Sequence, residues 1–306
     1  MTPRARPHPR RGTPIVGIFG WPQTTNEAIA AAWRSLGIQA FLVYPDVALE
    51  WLRAGDTAVG RLDVLPTVDG IEPGIEILGE LRSRRVRVLN GVDALLAAHD
   101  KLLTVTRLRE AGLPHPVTTH ILRPDEAAEI AAPLVVKPRF GSWGIDVLRC
   151  ETEADLERTL AAIQNLPWFR SDGALLQELV PPVGYDLRLV VAGGKIVGAT
   201  ERVARAGEWR TNTSLGGTRR PAHPSDEARA LGVRSAEAIG ADLVGVDLLP
   251  VPGGYVVLEL NGAVEFDNAY DLDERDVYEA AAAALALPRD RDVDPDRAAV
   301  PSRSQR

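Results

Sequence analysis

The sequence has a single cysteine, Cys150, so no disulfide can close within the chain. That composition suits a reducing compartment, and a cytoplasmic location is the expectation. No apolar run approaches the roughly 20 residues of a membrane-spanning helix, so no membrane partner is expected. Basic residues are outnumbered by acidic ones, 35 to 42, and a net charge of −7 gives nucleic acid no general electrostatic footing. Residues 1–13 are rich in arginine and proline but lack the apolar core of a secretory signal; they and residues 289–306 read as disordered tails. The five histidines show no zinc spacing, and no Ser/His/Asp or Cys/His constellation is visible. Gly17-Ile18-Phe19-Gly20-Trp21 is not the G-x-G-x-x-G of a nicotinamide site. Lysine is nearly missing as well. Only Lys101, Lys137 and Lys195 occur, and every other basic residue is arginine. Where arginine is the default cation, a lysine points to a need for a compact ammonium.

What is present begins as an alternation of strand and helix. Residues 14–20 read as a buried strand, and 26–36 as a helix with Ala28, Ile29, Ala32, Trp33 and Leu36 on one face. Thr24 or Thr25 is placed to cap that helix and Gly37 to end it. Residues 40–44 form a second strand, which makes a βαβ unit and implies a parallel sheet. A helix over 75–84 and a strand over 86–89 complete a small α/β domain ending near Asn90. The pattern then shifts. A helix over 101–111 stops at Gly112 and Pro114, strands are expected at 134–137 and 144–150, and Thr152 caps a helix to about Gln164. Strands at 174–179, 187–191 and 195–202 follow, the last two joined by a Gly193-Gly194 turn. Ser225 caps a helix over 226–239, and a final helix covers 276–287. His99 and Cys150 read as a surface or capping residue and a packed core residue.

The richest segment is VGVDLLPVPGGYVVLELN, residues 244–261. Val-Pro-Gly-Gly signals a hairpin. A three-residue loop, Pro252-Gly253-Gly254, would pair Val251 with Tyr255 and bring Asp247 opposite Glu259, with Asn261 on the same face. A register slip of one residue would separate them. Facing carboxylates repel unless a cation lies between, and three oxygen-bearing side chains suit a hard ion such as Mg²⁺. A solvated sheet face would carry the same residues.

Val246-Asp247-Leu248-Leu249 followed by Glu259-Leu260-Asn261 resembles the metal signature of ATP-grasp enzymes, in particular RimK-type glutamate ligases. Other marks of that family fall in order: Lys101 after Ala98-His99-Asp100, Lys137 in L-V-V-K-P, and Phe140-Gly141-Ser142-Trp143-Gly144 as a phosphate-covering loop. Gln177-Glu178-Leu179-Val180 resembles the adenine-reading linker, Tyr185-Asp186-Leu187-Arg188 the D-x-R motif, and Trp209-Arg210-Thr211-Asn212 with Gly216-Gly217 the R-S-N…G-G segment. The similarity covers about residues 90–261.

The resemblance implies an α/β (α+β ATP-grasp) fold: a Rossmann-like pre-ATP-grasp domain over 14–92, then a two-subdomain ATP-grasp unit over 93–288 with a lid at about 113–175. It implies an ATP-dependent carboxylate–amine ligase working through an acyl phosphate, with ATP and two Mg²⁺ or Mn²⁺ ions. Asp247, Glu259 and Asn261 would hold the metal. Lys101, Lys137, Gly141, Ser142, Trp143, Gly144, Gln177, Glu178, Leu179, Val180, Asp186 and Thr211 would bind the nucleotide, and Arg210 and Asn212 would do so while acting catalytically. Arg188, Arg202, Gly216, Gly217, Glu265 and Asn268 would face the substrate. Partners would be an amino acid such as glutamate and a carboxylate acceptor: a small molecule, a peptide or a carrier-protein C-terminus. The run Asn261-Gly262-Ala263-Val264-Glu265-Phe266-Asp267-Asn268 departs from the RimK pattern and is more similar to LysX-type ligases, which act on an amino-group carrier protein. A D-alanine-type or peptide ligase and a non-catalytic ATP-binding scaffold stay open, as does homo-oligomerisation. Arg61 is weighed as a substrate contact against an ion pair at the core edge.

Overall fold

The structure, a computed structural model, describes residues 13–127 and 130–289, so both expected tails, apart from Thr13 and Arg289, lie outside the described residues. The chain opens with β1 (Val16–Phe19), α1 (Thr24–Ser35), β2 (Ala40–Val43), α2 (Pro45–Trp51), β3 (Thr57–Gly60), α3 (Ile75–Ser83) and β4 (Arg87–Leu89). The four strands form a parallel sheet in the order β2-β1-β3-β4. α1 buries Asn26, Ile29, Ala30 and Trp33, as its periodicity requires, but neither threonine caps it: Gln23 holds the cap position without a side-chain hydrogen bond. β3 escaped the sequence reading because its four buried residues, Thr-Ala-Val-Gly, have neither alternation nor the longer apolar run that marked β1.

Two short helices follow, α4 (Val92–His99) and α5 (Lys101–Glu110). Next come β5 (Thr118–Ile121), β6 (Leu134–Pro138), β7 (Leu148–Cys150), α6 (Glu153–Ile163), α7 (Pro167–Asp172) and β8 (Ala174–Glu178). Their strands make an antiparallel sheet, β5-β8-β6-β7. α6 starts with the expected Thr152 cap, completed as a capping box by Asp155. The strand expected from residue 144 begins only at Leu148. Residues 139–147 are a long loop instead, because Ile145 and Val147 face a cleft rather than a ladder partner.

The last third holds β9 (Tyr185–Ala192), β10 (Lys195–Val203), β11 (Thr218–Pro221), α8 (Asp226–Ala238), β12 (Leu243–Val251), β13 (Gly254–Asn261) and α9 (Val277–Ala284). These strands form the sheet β11-β10-β9-β12-β13. Ser225 caps α8 by accepting from Ala228 N. Leu187, Leu189, Val191 and Val246 pack under α8 with Leu231 and Ala236. On the other face Val190, Ala192 and Leu243 join one core with Val16, Ile18, Ile29 and Trp33 of the first domain, and with Tyr278 and Ala281 of α9.

Polar contacts reinforce this join. Asn90, at φ +52°, accepts from Asp242 N (2.8 Å) and Leu243 N (2.9 Å) and donates to Leu243 O (2.6 Å). Asparagine tolerates that left-handed conformation better than most side chains. Trp33 Nε1 donates to Tyr278 O at 3.0 Å. His99 is buried rather than superficial, its Nε2 at 2.9 Å from Leu62 O. Burial holds its pKa below the ordinary histidine value. Among the described residues, no helix is long and apolar enough to cross a membrane.

Candidate active site

The β12–β13 hairpin turns on two residues, not three. Val251 pairs with Gly254, Pro250 with Tyr255 and Leu248 with Val257, a register that would send Glu259 to the wrong face. An irregularity between Asp247 and Leu248 absorbs one residue, Leu258, and restores the pairs Asp247–Glu259 and Gly245–Asn261. Leu258 and Glu259, although consecutive, therefore both line the same cleft.

Asp247 is 1% exposed and occupied. Arg188 on β9 binds it through both Nε and Nη2 at 2.6 Å, and Arg202 on β10 adds Nη2 at 2.7 Å. Arg202 also grips Asp186 with Nε at 2.8 Å, and Thr211 donates to Asp186 at 2.6 Å. Two guanidiniums and two carboxylates thus form one buried, charge-balanced network. Burial opposes ionisation of Asp247, but the charges of Arg188 and Arg202 outweigh it and bring the carboxyl down to about 2. Asn261 Nδ2 reaches Asp247 Oδ2 at 3.5 Å. Glu259 is served by a different cation, Lys101, whose Nζ lies 3.2 Å from Oε1.

Lys101 owes its position to Asp100. That side chain accepts from Leu102 N and Leu103 N at the start of α5 and also receives both Nε and Nη2 of Arg139. The helix start is thereby bolted to the beginning of the 139–147 loop, and Lys101 Nζ donates to Gly141 O within it. Lys137 on β6 is buried and donates to Gln177 Oε1 on β8 at 2.8 Å. Burial, with the nearby Lys101 charge, lowers its pKa to about 8. The loop is latched from the far side. Arg210, paired with Glu208, donates to Gly144 O at 3.0 Å, and Ser214 Oγ donates to Trp143 O at 3.0 Å. Gly144, at φ +73°, faces Asn212 so closely that a β-carbon would stand 3.0 Å from its Oδ1.

Two adjoining clefts result. The larger, about 990 Å³ including its open mouth, runs between the β5–β8 sheet and the hairpin. Lys101, Lys137, Gly141, Ser142 and Gly144 line one stretch, and Gln177, Glu178, Leu179 and Val180 another; Arg210, Thr211, Asn212 and Glu259 also face it. Its apolar walls, among them Val135, Ile145, Val183, Leu249 and Leu258, carried no motif by which the sequence could announce them. The smaller cleft, about 540 Å³, is polar and includes Trp143, Arg188, Arg202, Asn261 and Glu265. Ser142, Asn212 and Glu259 belong to both clefts.

Several expected residues line neither cleft. Asp186 and Asp247 lie buried behind them in the ion network. Gly217 has a structural reason to be glycine: a β-carbon would meet Thr211 O at 2.7 Å and Asn212 O at 2.9 Å. Gly216 closes a single turn of 3-10 helix over Thr213–Leu215. Asn268 donates to Asp276 Oδ2 at 2.7 Å, away from both clefts. Arg61 is neither a cleft residue nor an edge ion pair. It is fully buried, bonded to Asn26 Oδ1 (2.6 Å) and Val264 O (2.8 Å), and burial brings its pKa down to about 10. The one lining residue of the two clefts that precedes residue 93 is Asp63, which no sequence motif marked. No group of three His, Cys, Asp or Glu side chains that could hold a metal occurs among the described residues. The oxygen set here has an amide, Asn261, as its third member.

A RimK-like ATP-grasp domain model matches residues 98–277. A protein of Thioalkalivibrio sulfidiphilus named "probable alpha-L-glutamate ligase" is 35% identical over 196 residues, covering 62% of this chain and 64% of the relative. The chain thus spans a little under two thirds of that relative's length. A RimK-domain ATP-grasp protein from Sphaerobacter thermophilus superposes with a TM-score of 0.63 at 20% identity, covering 90% of this chain and 97% of the other. The ATP-grasp ligase PsnB, solved with a minimal precursor, Mg and ADP, gives 0.63 at 18% identity, covering 89% and 97%. Both structures share the fold, and the match over residues 98–277 places the chain in the RimK-like ATP-grasp family.

Proposed function

We propose that the protein is an ATP-dependent ligase that joins a carboxylate to the amine of an amino acid such as glutamate, through an acyl phosphate. One observation carries this reading. Two of the chain's three lysines, from a helix start and from a strand of a different sheet, converge on a cleft walled by Glu259. Such a cleft offers ammonium groups to a triphosphate and apolar walls to a base. Residues 177–180 would read the adenine edge, with Glu178 accepting from the ribose. Arg210 would steady the phosphoryl group as it leaves ADP, and Asn212, common to both clefts, would orient the acyl phosphate. The amine then attacks the acyl carbon, and phosphate departs.

The donor set fits a hard cation. Glu259 and Asn261 offer oxygens at the cleft, and Asn261 gives its amide nitrogen to Asp247 while keeping its carbonyl oxygen. Asp247, already receiving three guanidinium N–H groups, would stand behind them. A bound Mg²⁺ would neutralise phosphate charge during transfer. PsnB, solved in complex with a minimal precursor, Mg and ADP, supports that choice, and its precursor makes a peptide one candidate acceptor. The name of the Thioalkalivibrio relative supports glutamate as the added amino acid.

The test is incubation with Mg-ATP and pools of amino acids, carboxylates, peptides and acidic carrier proteins, reading ADP release and the product mass. Amine-dependent ADP formation with a product lighter by one water than its two substrates is expected. Nucleotide binding without turnover in every pool would overturn the ligase reading.

A further inference from the structure

We infer that Asp63 and Glu265, which line the same cleft, form the ammonium pocket for the amine substrate, so that the chain ahead of residue 93 supplies part of the substrate site. This rests on the ligase reading above. Asp63 lies outside residues 98–277, the stretch that matches the family.

The charges of the smaller cleft separate into two groups. Arg188 and Arg202 are balanced by Asp247 and Asp186. Glu259 is balanced by Lys101. Asp63 and Glu265 are left with one shared cation, the buried Arg61, whose field both of them feel. His99, 3.9 Å from Asp63 Oδ1, gives little help, since burial disfavours its charged form. This part of the cleft therefore has surplus negative charge, and a cationic group entering it is stabilised.

The surrounding structure holds Asp63 still. Arg61 anchors the strand end to Val264 O, His99 holds Leu62 O, and Asp63 N donates to Glu72 Oε2 at 2.9 Å. Asp63 Oδ1 accepts from Val64 N at 2.7 Å, which leaves Oδ2 as the acceptor for a ligand. The anchor is expensive, because Arg61 Nη1 is buried without a hydrogen-bond partner. Arg61 nevertheless holds the backbone at Val264, next to Glu265. Asp63 lines the smaller cleft together with Ser142, Asn212 and Glu259, the three residues common to both clefts. An ammonium held by Asp63 Oδ2 enters the cleft that Glu259 and Asn212 share with the nucleotide; it gives one proton to Asp63 to become the attacking amine, and the second leaves from the tetrahedral adduct with the departing phosphate. The unengaged edges of Arg188 and Arg202 suit the carboxylate of the same amino acid.

The experiment compares full-length wild type with Asp63→Asn, Asp63→Glu and Glu265→Gln, using the substrates found in the activity screen. Asp63→Asn should raise KM for the amine roughly 10- to 100-fold, as expected for one lost charge-assisted hydrogen bond. KM for ATP should stay within about twofold, and Asp63→Glu should recover part of the loss. Glu265→Gln, at an exposed position that tolerates change, should raise the amine KM by a smaller factor. Hydroxylamine, a nucleophile that is neutral at pH 7, should trap the acyl phosphate equally well in all variants. An unchanged amine KM in both neutral variants, or an equal loss with hydroxylamine, would overturn the ammonium pocket alone. Absence of amine-dependent turnover in the wild type would instead bring down the ligase reading, and this inference with it.

Discussion

Asp247 and Glu259 face each other across β12 and β13, yet each answers to a different cation. Asp247 is sealed in with Arg188 and Arg202, whereas Glu259 opens onto both clefts and, among the described residues, pairs with the ammonium of Lys101. One carboxylate holds the sheet together, and the other is free to take part in chemistry.

Substitution should separate these roles. Asp247→Asn leaves two buried guanidiniums short of a counter-charge and should cost about 3–5 kcal/mol in urea unfolding. Glu259→Gln should cost less than Asp247→Asn, since Lys101 keeps its hydrogen bond to Gly141 O and the glutamine can still accept from it, while removing most ATP turnover. The acid limb of stability follows from the same network. Asp247 titrates at about 2 when folded and near 3.9 when unfolded. As the pH falls from about 4 to 2 the unfolded chain gains a proton that the native chain refuses, so stability drops. That slope should flatten in Asp247→Asn. Equal unfolding costs for the two variants would contradict the division.

Lys137 should make nucleotide binding proton-linked. Its folded pKa is about 8, lowered by burial and by Lys101. Triphosphate oxygens raise it again, so binding near pH 8 takes up a proton and weakens as the pH climbs further. The unliganded protein moves the opposite way. Between pH 8 and the unfolded value near 10.4 only the unfolded chain keeps this proton, so stability from this group rises with pH. Calorimetry of ATP binding at pH 8 in two buffers of different ionisation enthalpy would show the uptake. Its persistence in Lys137→Met would assign it elsewhere.

Gly217→Ala tests whether this glycine meets the substrate or only the backbone. The added methyl would press on the carbonyls of Thr211 and Asn212 and displace the segment that carries Arg210. A shift of about 1 Å in positioning groups can cost roughly 100-fold in rate, so kcat should fall by that order with the fold intact by circular dichroism. Undiminished kcat would show that the segment accommodates the methyl.

The sequence was most legible where side chains depart from what packing requires. Two of three lysines, the glycine-flanked Ser142-Trp143 and the E-L-N run stood out because ordinary packing does not require them. The Asp247–Glu259 pairing was read correctly from a wrong turn: a two-residue loop replaced the expected three, and the bulge at Leu258 compensated. Bulges leave no local signature, since they are chosen by the sheet as a whole. The arginine network was hidden for a similar reason, as Arg188 and Asp247 are 59 residues apart. β11, Thr-Arg-Arg-Pro, gave no strand signal because all four residues are exposed. Asp63 resembled any loop acid until Arg61 and His99 were seen to fix its neighbours.

Asn90 and the shared core have a consequence for dissection of the protein. Cutting the chain near residue 92 would strip the cover from Val190, Ala192 and Leu243 and strand the backbone groups of Asp242 and Leu243 that Asn90 satisfies. Residues 93–289 alone would therefore present a greasy, half-bonded underside. The border drawn by resemblance to a family is not a border along which this molecule can be taken apart.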